Sequence, residues 1–308
     1  MSDAVLRTEG LTKAYGSNVA LDGVTLEVPP GVTGLLGPNG AGKSTMLQCV
    51  LGLLPDFRGK AEVLGLDARR QRRAIRRRVG FMPELDAYLF GISGLHAVRY
   101  LAQLSGLPRR EALRRAHEVL THVGLGEAIY RKVDGYSTGM RQRFKLAQAI
   151  AHEPHVVVLD EPMNGLDPPS RRDFADAIRR LGGEGRCVLV SSHVLHEVES
   201  VAERIVVMQR GRMLADGTPR DLRAELAEVP LTVRITTTAP ADLAERLVAL
   251  EGVRDVERGS DLLQVRTTRA DALFDTLAAL AAEEGAPRIL SAEPVDESLE
   301  AVFEYLTR

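Results

Sequence analysis

The segment Gly37-Pro38-Asn39-Gly40-Ala41-Gly42-Lys43-Ser44-Thr45 sits between a short apolar run, residues 32–36, and a helical pattern carried by Met46, Leu47, Val50 and Leu51. It has the form G-x-x-x-x-G-K-[ST], placed after a strand and before a helix. Gly37, Gly40 and Gly42 let successive backbone N–H groups turn inward around phosphate oxygens. The helix that follows points its positive end at the same anion. At this spacing Lys43 can reach the β and γ phosphates, and the Ser44 hydroxyl can ligate Mg²⁺. The plain alternative is a Gly-rich turn without a ligand, and strand, loop and helix in register argue against it.

A second apolar run, 156–159, ends in Asp160-Glu161-Pro162. Uniform apolarity fits a strand covered on both faces. Two carboxylates at its end are costly unless a cation or donors stand nearby. Downstream of a phosphate loop, Asp160 fits the acidic partner of Mg²⁺, directly or through water. Glu161 is then placed to orient or deprotonate an attacking water. Taken alone, such a pair is simply a strand end entering a loop. Further apolar runs lie at 187–190 and 205–208, the last followed by a Gln209-Arg210-Gly211-Arg212 hairpin turn, and strand-like stretches occupy 5–11 and 24–28. From 83 to 133 the pattern is mostly helical, broken at Gly106-Leu107-Pro108. Strands alternating with helices predict an α/β fold, a mostly parallel sheet with helices on both sides.

The whole chain has 308 residues, 44% hydrophobic and 27% charged, which suits a soluble globular protein of two domains and excludes a disordered or fibrous one. A net charge of −2 excludes a globally basic nucleic-acid binder. Cys49 and Cys187 are too few for a disulfide framework, suit a reducing compartment and read as small buried hydrophobes. No apolar run approaches the length of a bilayer span, and the N-terminal residues lack a signal-peptide core. The charge is unevenly spread. Residues 231–308 carry 15 acidic and 8 basic side chains, a net of −7, against +5 for residues 1–230. That shift, with Pro230, predicts a boundary near 227–230. Beyond it the order strand (231–235), helix (241–250), strands (253–258 and 262–266), helix (270–284), strand (288–292) and a last helix (295–306) predicts an α+β ferredoxin-like domain.

Between the two chemical motifs lies Tyr136-Ser137-Thr138-Gly139-Met140-Arg141-Gln142, which resembles the signature loop of the ATP-binding-cassette (ABC) family, usually Leu-Ser-Gly-Gly-Gln. The resemblance covers residues 5–220, and its motifs stand in family order. Tyr15 matches the adenine-stacking aromatic, Glu84 the Q-loop, Asn164-Gly165-Leu166-Asp167 the D-loop and His193 the switch histidine. It implies a P-loop cassette over 1–226, with an N-terminal antiparallel β subdomain and a helical signature subdomain at about 84–140. The second domain would then span 231–308. It implies ATP and Mg²⁺ as ligands, with Ser44, Glu84 and Asp160 toward the metal. Lys43, Glu161 and His193 would serve hydrolysis. Ser137 and Gly139 would meet the triphosphate held by a second subunit, and Asp167 would cross that interface. Ser137 and Asp167 also read as helix N-caps, under either view. Three positions depart from the family: Glu84 replaces glutamine, Thr138 the first glycine and Met140 the final glutamine. An ionised glutamate only accepts hydrogen bonds and adds negative charge beside the triphosphate, so altered tuning is expected.

The subfamily resemblance, carried by residues 136–140, 163–167 and the tail 297–303, is to ATPases of ABC-2-type exporters. It implies an integral membrane permease as partner, a second copy of the chain or a paralogue, and a cytoplasmic place at the inner face of the membrane. No nucleic-acid partner is expected. The alternative is a soluble ABC ATPase acting on ribosomes or DNA. Translation-type members carry two cassettes per chain, and repair-type members a long coiled coil that 43–137 lacks. Tyr88, Leu89 and Phe90, in an expected helical stretch after Glu84, form the anticipated docking surface. The run from Arg69 to Arg78 holds seven arginines in ten positions. It reads as a solvated helical face or as a contact for anionic lipid or acidic partner residues.

Overall fold

A computed structural model describes residues 4–86, 88–89, 91–226, 231–281 and 287–294. The expected boundary at 227–230, the expected helix at 295–306 and Phe90 lie outside the described residues. The chain divides into two compact units, Met1–Pro219 and Arg220–Arg308.

The first unit opens with long antiparallel strands, β1 (Leu6–Tyr15) and β2 (Asn18–Val28), then β3 (Gly31–Leu36) and α1 (Lys43–Val50). Next come β4 (Arg58–Val63), β5 (Leu66–Asp67), α2 (Arg72–Arg76) and β6 (Val79–Met82). Helices α3 (Gly94–Leu104), α4 (Arg109–His122) and α5 (Thr138–Ile150) follow. Then β7 (Val156–Asp160), α6 (Pro168–Gly183), β8 (Cys187–Ser192), α7 (Leu195–Glu199), β9 (Arg204–Gln209) and β10 (Arg212–Gly217) complete it. The strands make a four-stranded sheet, β2-β1-β4-β5, and a six-stranded sheet, β10-β9-β3-β8-β7-β6. In the larger sheet only β10 runs antiparallel to its neighbour.

Burial explains this division. Val156 to Leu159 are all fully buried, as a central parallel strand requires. In β1 and β2 buried and exposed positions alternate irregularly, and register shifts interrupt the pairing after Thr8 and Leu11. These strands therefore reach beyond their apolar stretches, to Tyr15 and from Asn18. One core joins the two sheets through α1: Leu6, Leu21 and Val24 pack with Met46, Leu47 and Val50, and these with Val156, Leu189 and Val206. Each such buried side chain contributes about 1.5–3 kcal/mol.

One expectation is corrected. The described residues between Met82 and Ser93 form no helix; α3 begins at Gly94, capped by Ser93 Oγ, which accepts from the His96 N–H. Pro83 and Gly91 (φ +78°) break the apparent helical pattern there. The arginine run forms only the five-residue α2, with Ile75 as its buried residue. Arg69 is engaged in the fold: its guanidinium donates to the Phe57 and Gly59 carbonyls and lies over the Phe57 ring.

Helix α8 (Pro219–Leu226) starts at the last residue of the first unit, and the second unit continues with β11 (Leu231–Thr237), α9 (Pro240–Val248), β12 (Val253–Arg258), β13 (Leu262–Thr267), α10 (Ala270–Ala281) and β14 (Ile289–Pro294). From β11 onward the order is β-α-β-β-α-β, in an antiparallel sheet β12-β13-β11-β14, which is the ferredoxin-like topology. Val233, Ile235, Leu263 and Val265 pack there against Leu243, Leu247, Leu273 and Leu277.

Candidate functional site

Strands β3, β8 and β7 are adjacent and parallel, so their C-terminal ends open on one edge. At the end of β3 the phosphate loop is pressed against neighbours that leave no room for a side chain at Gly37 or Gly42. A Cβ on Gly37 would lie 2.4 Å from the Met208 carbonyl oxygen. At Gly42, with φ +102°, a Cβ would lie 2.5 Å from the Ala20 oxygen. Lys43 is the first residue of α1 and is buried; its Nζ donates to the Gly37 carbonyl at 2.6 Å and to that of Pro38 at 3.3 Å. No acidic residue occupies the first turn of α1, so nothing there offsets the positive helix end. Ser44 and Thr45 follow, half-buried, while Asn39 and Gly40 are exposed.

Asp160 ends β7 and pairs in register with Ser191 of β8. Its Oδ1 accepts the Ser191 hydroxyl. The next residue, Glu161, has φ +47°, unusual for a residue with a side chain. Its N–H is held by both the Ser191 carbonyl and the Ser191 Oγ, each at 3.1 Å. The turn aims a buried carboxylate across the edge: Oε1 lies 3.3 Å from Lys43 Nζ, and Oε2 lies 2.9 Å from His193 Nδ1. Because a carboxylate only accepts, His193 Nδ1 carries the proton in that bond. The structure thus brings Lys43, Glu161 and His193 into one chain of contacts at the mouth of the loop.

Glu84 lies two residues beyond β6, its side chain exposed. Its carbonyl accepts from Lys145 Nζ at 2.7 Å. Burial pulls the Lys145 ammonium below the ordinary lysine value, and the carboxylates of Asp86, Glu84 and Asp160 work against that shift. Ser137 caps α5, its hydroxyl accepting from the Met140 N–H at 3.3 Å. Asp167 stands at the N-cap position of α6 in extended conformation, yet its side chain makes no capping bond. Its carboxylate is exposed, so the capping expectation fails there. Gly139 lies against the loop that carries Asp167: a Cβ on it would sit 3.7 Å from Ser170 and 3.8 Å from Leu166. Gln142 Nε2 donates to the Asn164 carbonyl at 3.0 Å. Tyr15 ends β1 with its ring half exposed and Lys13 Nζ 5.1 Å from the centroid. The β1–β2 hairpin that carries it also supplies Ala20, the neighbour of Gly42.

Some working contacts escape sequence reading. Ser191 passes for a spacer before His193, although its hydroxyl serves both Asp160 and Glu161. Lys145 passes for a surface residue of an amphipathic helix; its only signal is the flanking apolar run Phe144, Leu146, Ala147. The buried Glu197 accepts from Ser192 Oγ at 2.9 Å and approaches Arg171 Nε at 3.3 Å. Arg171 in turn donates to the Leu166 carbonyl.

Ser44, Glu84 and Asp160, the residues expected toward a metal, offer only oxygen donors, which would suit a hard divalent cation. No cluster of three or more His, Cys, Asp or Glu able to hold a metal occurs among the described residues.

A mostly parallel sheet with a phosphate loop, an acidic strand end and a histidine against that acid on one edge defines a P-loop nucleotide hydrolase. The model of the ABC transporter family matches residues 21–164. The daunorubicin/doxorubicin resistance ATP-binding protein DrrA of Streptomyces peucetius is 37% identical over 83% of this chain and 78% of its own length. The bacitracin transport ATP-binding protein BcrA of Enterococcus faecalis is 36% identical over 69% and 68%. Among solved structures, an ABC-transporter ATP-binding subunit superposes with a TM-score of 0.65 at 28% identity, over 72% of this chain and 93% of that one. A dimeric ATP-binding cassette in a post-hydrolysis state with ADP and Pi gives 0.64 at 25%, over 70% and 99%. The chain belongs to the ABC transporter family and is its ATP-binding, ATP-hydrolysing subunit.

Proposed function

We propose that the chain drives an ABC-2-type exporter, powering a separate membrane permease by ATP-dependent dimer closure. The observation that carries this is the contact chain Lys43–Glu161–His193, its first two members buried, at the mouth of the phosphate loop. The names of the relatives, resistance and antibiotic-transport ATP-binding proteins, support export. They do not favour the ribosome- or DNA-directed alternative.

In this reading the triphosphate enters the loop and draws Lys43 away from the Gly37 carbonyl. Tyr15 stacks on the base. Ser44 and Asp160, with Glu84, would hold Mg²⁺, which would supply charge neutralisation for the triphosphate. Glu161 accepts the proton of the water that attacks the γ-phosphorus, and His193 holds the Glu161 carboxylate in place through its Nδ1–H. Ser137 and Gly139 of a second copy, or of a paralogue, close over the γ-phosphate, and Asp167 crosses between the copies. Residues 1–226 form the cassette, with a helical part at about 84–140, and 231–308 an accessory, regulatory or dimer-supporting domain.

The permease docks beside Glu84. Tyr88 is half-buried against Phe144, so the docking surface is the neighbouring groove of about 550 Å³ rather than Tyr88 itself. Arg73, Arg76, Phe81, Pro83, Leu101 and Leu104 line it, and Gln148 Nε2 is left there without a hydrogen-bond partner. An acidic, apolar permease segment matches that lining. No helix among the described residues is long and apolar enough to cross a membrane. What supports a separate membrane partner, and a working place at the cytoplasmic face of the membrane, is the likeness to resistance and antibiotic-transport ATP-binding proteins.

The test is purification of the full chain from membranes in mild detergent, with the bound integral protein identified and ATP turnover measured with and without it. The reading predicts a permease whose presence changes turnover, and loss of its recovery in Arg73→Ser/Arg76→Ser. A chain that binds no membrane protein overturns it.

A further inference from the structure

A lysine almost never sits fully inside a helix interface unless something holds its charge. Lys145, in the middle of α5, is 2% exposed. Its ammonium reaches from α5 to the loop after β6, donating to the Glu84 carbonyl at 2.7 Å and lying 3.9 Å from Asp86 Oδ1. Arg141, one turn earlier on α5, lies 3.4 Å from Asp86 Oδ2, and the Tyr88 hydroxyl donates to that oxygen at 3.4 Å. Arg141 Nε also donates to the Tyr136 carbonyl at 3.0 Å. One helix thus grips the segment that carries Glu84 at a carbonyl and again at the carboxylate two residues on. The same helix begins at the Ser137 cap.

The charge arithmetic explains why a cation is needed at this point. Residue 84 is a carboxylate, Asp86 follows closely, and the buried Asp160 adds a third negative charge within electrostatic range of Lys145. Three carboxylates within electrostatic range of one ammonium would repel each other and an incoming triphosphate unless a fixed positive charge stood among them. Arg141 is only partly buried, at 36% side-chain exposure, and of these three carboxylates pairs with Asp86.

We propose that Lys145 is a positioning residue of the ATPase site: its buried ammonium fixes the Glu84 carbonyl and offsets the Glu84 and Asp86 carboxylates, so that Glu84 can face the metal–nucleotide complex. The proposal rests on the reading of Glu84 as a Mg²⁺ ligand. It makes Lys145 the compensation for the carboxylate at position 84. Bond and charge are separable. Lys145→Met removes both, Lys145→Gln removes the charge and keeps a donor, and Glu84→Gln removes the charge that Lys145 offsets.

Two measurements on the full-length chain test it. In hydrogen exchange without nucleotide, the amides of residues 84–86 exchange about tenfold faster or more in Lys145→Met, while β7 and β8 are unchanged. Lys145→Gln, which keeps the donor, carries the same comparison should the methionine variant unfold, with a smaller acceleration in the same segment. In equilibrium binding, Lys145→Gln holds ATP in EDTA within about twofold of the parent but loses about fivefold or more with Mg²⁺ present. Adding Glu84→Gln to Lys145→Gln restores at least half of that loss. Unchanged exchange at 84–86 in both variants overturns the grip. A Glu84→Gln effect that merely adds to the Lys145→Gln loss overturns the compensation. If the parent itself gains nothing from Mg²⁺, the reading of Glu84 has failed, and the exchange result still decides whether Lys145 holds the loop.

Discussion

Removing one hydroxyl, in Ser191→Ala, should damage both stability and turnover. Ser191 Oγ donates to Asp160 Oδ1 and accepts from the Glu161 N–H, all inside a fully buried strand pair. A hydrogen bond to a buried charged group is worth about 1.5–3 kcal/mol. The Glu161 N–H keeps the Ser191 carbonyl at 3.1 Å, so the substitution orphans no backbone donor and adds little on that side. The positive φ of Glu161 loses one of its two restraints, and such strain is of order 1 kcal/mol. The expected loss is about 2.5–4 kcal/mol, or roughly 5–16 °C in the melting temperature of a unit this size. If Asp160 and Glu161 also lose their alignment, kcat falls about tenfold for each 1.4 kcal/mol of transition-state stabilisation removed. Calorimetry of the full chain and steady-state ATPase assays read the two effects, and Ser191→Thr, which keeps the hydroxyl, should retain most of both. A melting shift under about 1 °C together with turnover within about twofold of the parent would refute the argument.

Other consequences follow from the same geometry. Gly42→Ala places a methyl 2.5 Å from the Ala20 oxygen at φ +102°, so the loop must shift and ATP binding, read by calorimetric titration, should be lost. Retained affinity would show that the loop tolerates a side chain. Burial pushes the Cys187 thiol up to about 12 and that of Cys49 up to about 11, from 9.0 in an exposed thiol. Their contribution to folding stability is therefore complete below pH 9 and is lost as pH rises from 9 through those values. Urea melts at pH 8 and at about pH 10 should show the parent losing more stability than Cys187→Ala, whereas equal losses would contradict the burial argument.

The sheet edge was legible in the sequence because its parts are local. An uninterrupted apolar run means a strand buried on both faces, and the residue that follows such a run emerges at the strand's end. That logic places Gly37, Asp160 and His193 without any knowledge of contacts. The antiparallel strands were read short because one face alternates and bulges break the alternation. The stretch after Glu84 was read as helical because its composition is helical, and Pro83 and Gly91 outweighed composition. Lys145, Ser191 and the Glu197–Arg171 contact were invisible for a different reason. Their partners lie 61, 31 and 26 positions away in the chain, and nothing in a local pattern marks which buried polar residue will find one. The missing cap at Asp167 belongs to the same class: the residue type suits the position, but the side chain stays outside.

The central claim is that Glu161 carries hydrolysis while Lys43 and the loop carry binding. It is tested most directly by single-turnover ATP hydrolysis and ATP affinity in full-length Glu161→Gln, assembled with its permease if the parent needs one for activity. The account predicts hydrolysis slowed by about a hundredfold or more with affinity equal to or tighter than the parent's, since the neutral amide no longer opposes the triphosphate. Hydrolysis at the parent rate in that variant would contradict it.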